Sequence, residues 1–101
     1  MVPLSPDTVS RLATLFAGNE RVVARAMLEN ECAENLPFCV NSDMYSLERI
    51  RFAVLKLSDG SLLRLRREIE EAKKDWRDTL MAAGFGYDVH AHRFWYPQPK
   101  D

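Results

Sequence analysis

A chain of 101 residues, 47% hydrophobic and 29% charged, has room for one core and is too apolar for a disordered segment. Its formal net charge of −1 gives no overall pull toward nucleic acid or an anionic membrane, and no apolar run nears the roughly 20 residues of a membrane span. Two cysteines, Cys32 and Cys39, are too few for a disulfide framework, and the opening MVPLSPDT lacks the basic start and apolar stretch of a signal peptide, so the chain reads as cytoplasmic with reduced thiols.

Ser5-Pro6-Asp7 is a helix start: a capping hydroxyl, a proline in the first turn and an acid at the positive end of the dipole. Val9, Leu12, Ala13 and Phe16 then share a face, which predicts a helix over residues 6–17. A second helix is predicted over 20–35, capped by Asn19, with Val22, Val23, Ala26, Met27 and Cys32 inward and a stop at Asn35-Leu36-Pro37. Phe38, Cys39 and Val40 form an apolar connector. Ser42 or Asp43 opens a third helix, 43–57, whose stripe is Met44, Leu47, Ile50, Val54 and Leu57, widened by Phe52 and Leu55. Its polar members are Glu48, Arg49, Arg51 and Lys56.

The stretch 59–83 carries the strongest helical periodicity, with Leu62, Leu65, Ile69, Ala72, Trp76, Leu80 and Ala83 at steps of three or four. Ser58 or Asp59 is its expected cap, Trp76 its large core residue and Gly84 its left-handed stop. Opposite charges such as Arg66–Glu70, Arg67–Glu71 and Glu70–Lys74 suit a solvated face. Because the turn at Ser58–Ser61 is short, this long helix and the third are predicted to form an antiparallel hairpin. The fold class is therefore all-α: residues 1–101 as a single compact four-helix domain, with an aromatic-rich tail, 85–101, packed over the hairpin.

Chemistry gathers in that tail, which holds five of the ten aromatic residues and both histidines. Were residues 87–92 extended, Asp88, His90 and His92 would point the same way and offer a divalent cation one carboxylate and two imidazoles. The plainer reading of these histidines, and the preferred one, is as surface or cap-forming residues. Tyr87, Phe94, Trp95 and Tyr96 are candidate interface residues, since aromatics concentrate at the centres of interfaces. The competing reading folds them back onto the last helix to complete the core. Arg64, Arg66 and Arg67, near Arg49, Arg51 and Lys56, form a candidate basic patch for phosphates, but interleaved acids favour an ion-paired face. Cys32 reads as a small buried hydrophobe, and a Cys–His nucleophilic pair with His90 or His92 is a minor alternative.

Residues 9–36 carry one resemblance. A short helix ending in Leu15-Phe16-Ala17-Gly18, followed at once by Glu20-Arg21-Val22-Val23-Ala24-Arg25-Ala26-Met27-Leu28, resembles the first two helices of ubiquitin-associated-type modules. Those join their helices by an apolar–glycine loop and have an Ala-Leu-rich second helix. The resemblance implies a binding module, and the sequence departs from it at Pro37, where a connector stands in place of a closely following third helix.

The functional expectation is a non-catalytic helical protein that binds another protein or itself, with no cofactor, no membrane partner and nucleic acid disfavoured. The alternatives are a divalent-metal protein or enzyme centred on Asp88, His90 and His92, and a weak nucleic-acid binder using the Arg-rich hairpin.

Overall fold

The structure, a computed structural model, describes residues 2–33 and 44–98. Those residues are all-α, with five helices and no strand: α1 (Pro6–Leu15), α2 (Gly18–Glu31), α3 (Met44–Ser58), α4 (Leu62–Lys74) and α5 (Trp76–Ala83), then a 3-10 turn at Ala91–Phe94. None is long and apolar enough to cross a membrane. The predicted stop at Asn35-Leu36-Pro37, the connector with Cys39 and the start at Ser42 or Asp43 lie outside the described residues.

Helix α1 begins as its sequence dictates. The Ser5 Oγ accepts the Thr8 N–H at 3.2 Å and donates to the Glu48 carboxylate on α3 at 2.6 Å, so one hydroxyl caps a helix and ties two helices together. Helix α2 follows after Phe16 and Ala17, and Gly18, at φ +59°, supplies the left-handed residue that reverses the chain. The expected Asn19 cap is not used, because α2 already starts at Gly18 with no side-chain cap. Its inward face is also rotated from the expected one. Ala24, Met27 and Leu28 are buried, whereas Val22, Val23 and Ala26 are exposed.

The long predicted helix is two helices. Asp75, at φ −154° and ψ 93°, leaves helical geometry, ends α4 and starts α5 by accepting the Arg77 and Asp78 N–H groups on its carboxylate. An aspartate competes for backbone donors in this way, which is why it favours caps over helix interiors. The apolar stripe survives the break. Leu65, Ile69, Ala72, Leu80 and Ala83 are buried in one core with Leu47, Ile50, Val54 and Leu55 of α3, while Trp76 is only partly buried and lies at the core's edge. The start of α4 also differs from expectation. Ser61 is the cap, accepting from Arg64 N–H, while the buried Ser58 hydroxyl donates back to the Leu55 carbonyl within α3.

Ion pairs on α4 among the described residues include Lys73–Glu70 at 3.1 Å and Lys74–Glu71 at 3.5 Å, with Lys73 also reaching Glu31 of α2. Gly84 closes α5 as expected, at φ +81°. Its N–H reaches the Met81 carbonyl and that of Phe85 reaches Leu80, the paired bonds of a Schellman ending.

Candidate functional site

Helix C-termini leave carbonyls without donors, and this chain satisfies many of them with cations from other segments. Arg21 donates to the Ala13 and Phe16 carbonyls at the end of α1. Arg51, 2% exposed, donates to Leu28 and Cys32 at the end of α2 and to Val2 and Pro3 of the N-terminal segment. Lys56 reaches the Ala83 carbonyl and Arg49 that of Phe85, both at 2.7 Å, so two α3 cations sit where the α5 dipole is negative. Arg49, Arg51 and Lys56 are thus engaged with main chain rather than grouped at the hairpin turn. Arg64, Arg66 and Arg67 remain exposed on α4.

The tail is held by the same device. Arg11, 6% exposed, lies between the Phe52 and Tyr96 rings, its guanidinium carbon 4.6 and 4.3 Å from their centroids. Its edges donate to the carbonyls of Asp7, Arg93 and Trp95. Beside it, His92 is fully buried, 5.0 Å from the Phe52 ring and 6.3 Å from Phe85, both edge-on. Trp95 meets the same two rings, 6.2 Å from Phe52 and 6.3 Å from Phe85, and is partly buried. Burial holds the His92 pKa below the usual imidazole range. Glu48 opposes that effect, while Arg49, Arg93 and Arg11 reinforce it.

The candidate residues of the tail therefore separate. Residues 87–92 form turns, not an extended segment, because the Asp88 carboxylate accepts the His90 N–H at 2.8 Å and the Ala91 N–H returns to the Asp88 carbonyl. Asp88 and His90 are exposed and His92 is in the core, so the shared direction that the metal reading required is not formed. Among the described residues no three His, Cys, Asp or Glu side chains assemble a cation site. Of the four aromatics, Trp95 folds back, whereas Tyr87, Phe94 and Tyr96 are 83%, 82% and 66% exposed. Cys32 is buried, as expected, and Cys39 lies outside the described residues.

Two of the exposed rings, Phe94 and Tyr96, line an open cleft of about 890 Å³, and Tyr87 lies outside its lining. Helix α1 supplies Asp7 and Arg11 to its wall, and α3 supplies Glu48 and Phe52. The tail closes it with Asp88, His90, Arg93, Phe94 and Tyr96. The tail side of this cleft is legible in the sequence, whereas Asp7, Arg11, Glu48 and Phe52 on the helical side are not among its candidate site residues. The missed signal is positional: Arg11 follows Thr8 and precedes Leu15 on the buried face of α1, and Arg51 lies between Leu47 and Leu55 on that of α3. A cation on an apolar stripe has main-chain or aromatic partners inside. The chain matches no family model, no curated protein and no solved structure.

Proposed function

We propose that this protein is a non-catalytic helical binding module that engages another protein, or a second copy of itself, through the aromatic rim of the α1–α3–tail cleft. In this reading residues 1–101 form one cytoplasmic domain, and α3 with the helices after it is an antiparallel hairpin serving as scaffold. One observation carries it. The tail is anchored at Arg11, His92 and Trp95, yet the rings between and beside those anchors, Phe94, Tyr96 and Tyr87, face solvent. A small domain short of core would bury such rings if nothing else covered them. Exposed aromatics carried on an anchored segment beside a concave surface suit a contact centre, since large rings concentrate at the centres of interfaces.

A photo-crosslinking residue in place of Phe94, introduced in the producing cells, tests this directly. The expected result is one discrete adduct, assigned by mass to a second copy or to a single other protein and lost when Tyr87 and Tyr96 become Ser. Labelling no stronger than from the equally exposed Leu63 on α4 would overturn the reading.

A further inference from the structure

We propose that the cleft receives an arginine side chain of the protein partner, a step that rests on the protein-binding reading above and names the chemistry of the contact. The cleft wall already holds one guanidinium: the Arg11 guanidinium carbon lies over both the Phe52 and the Tyr96 ring. Aromatic faces in this wall therefore suit a planar cation, and Tyr96 and Phe94 still present ring surface to solvent.

Three acidic residues from three separate segments line the same cleft. Asp7 comes from the first turn of α1, Glu48 from α3 and Asp88 from the tail. Glu48 and Asp88 accept hydrogen bonds from Ser5 Oγ and His90 N–H, and among the described residues none of the three is in an ion pair. The opposing cations in the wall are Arg11 and Arg93. Arg11 directs its N–H groups at three main-chain carbonyls, which leaves exposed Arg93 as the cation freest to compete.

A guest that stacks on a ring and reaches two carboxylates at once needs a planar fork of donors on an apolar stem. Arginine has that shape, whereas lysine offers a compact point charge that cannot bond bidentately. A volume of about 890 Å³ takes such a side chain together with the backbone that carries it.

The test titrates the full-length, isotope-labelled chain with N-acetyl-arginine amide, and with the N-acetyl amide of citrulline, its neutral isostere, while following backbone amide shifts. Arginine amide is expected to give saturable shifts confined to the neighbourhoods of Asp7, Glu48, Asp88 and Tyr96, with binding at least ~10-fold tighter than citrulline's. Glu48→Gln with Asp88→Asn should weaken it ~10-fold or more, whereas Glu68→Gln with Asp78→Asn on α4 and α5 should leave it unchanged. Equal binding of citrulline, shifts elsewhere on the surface, or no shifts would overturn the proposal. If that happens while crosslinking from position 94 persists, the partner docks without a guanidinium. Arginine binding without a crosslink would instead remove the protein-partner reading, and with it this proposal.

Discussion

The Arg11 Nε–H lies 3.2 Å from the Trp95 carbonyl oxygen, so the first helix grips the last aromatic cluster across 84 positions of chain. The contact is made at both levels of the side chain. The guanidinium edges hold tail carbonyls and its faces are covered by Phe52 and Tyr96. Replacing Arg11 with Met keeps an apolar stem between the rings and removes every N–H. The expected loss is about 1–3 kcal/mol for each carbonyl stranded away from water, read as a lower urea midpoint. A midpoint matching that of Arg64→Ala, an exposed α4 change worth ~0.5 kcal/mol or less, would show that the tail is held by other means.

Arg51 predicts a larger effect than its place among the polar residues of α3 suggests. Its guanidinium donates to carbonyls of Val2, Pro3, Leu28 and Cys32, and thus joins the N-terminal segment, the end of α2 and α3. Arg51→Met should destabilise by several times the ~0.5 kcal/mol of a surface change, and by more than Arg49→Met. Equal urea midpoints for the two variants would contradict this.

Asp75 separates α4 from α5, and the separation rests on its carboxylate. Asp75→Ala removes the acceptor for two N–H groups and should cost about 1 kcal/mol, whereas Asp75→Asn keeps most of it. Thermal melts of the two variants distinguish a cap from a merely solvated acid, for which both would be neutral.

His92 gives stability a pH dependence of known sign. Its folded pKa is lowered, chiefly by burial, so the unfolded chain takes up the proton first. Its contribution is fully present above the unfolded value near 6.5 and falls as pH drops from there through the lowered folded value. His92→Phe retains an aromatic ring between Phe52 and Phe85 and removes the proton. The difference in melting temperature between wild type and this variant should be constant above neutrality and shift against wild type on acidification below about 6.5. A difference independent of pH would mean that His92 is hydrated and titrates normally.

Much of the scaffold is legible from periodicity and punctuation. Ile50 and Ile69 are core, Ser5 caps α1 and Gly84 ends α5, each for a local reason that the sequence carries. The break at Asp75 was masked because the apolar stripe keeps its spacing through it, although Asp75 followed three residues later by Asp78 is itself a helix-start pattern. The phase of α2 is not legible in the sequence, because Val22 and Val23 are its most hydrophobic pair, yet it is Ala24 and Leu28 that meet the core. Packing against α1 and α4 decides that, and no local preference encodes it. The tail divides residue by residue for the same reason. Phe94 and Trp95 are adjacent and chemically alike, and only the 3-10 turn, with Arg11 bound to the Trp95 carbonyl, turns one outward and the other in.

Paired thermal denaturation of Trp95→Ala and Phe94→Ala tests that division most directly. A tail anchored by Trp95 and displaying Phe94 predicts that Trp95→Ala costs on the order of 2–4 kcal/mol, while Phe94→Ala stays within ~0.5 kcal/mol of wild type. Equal losses, or a larger loss for Phe94→Ala, would mean that Phe94 belongs to the core and that the aromatic rim is not available to a partner.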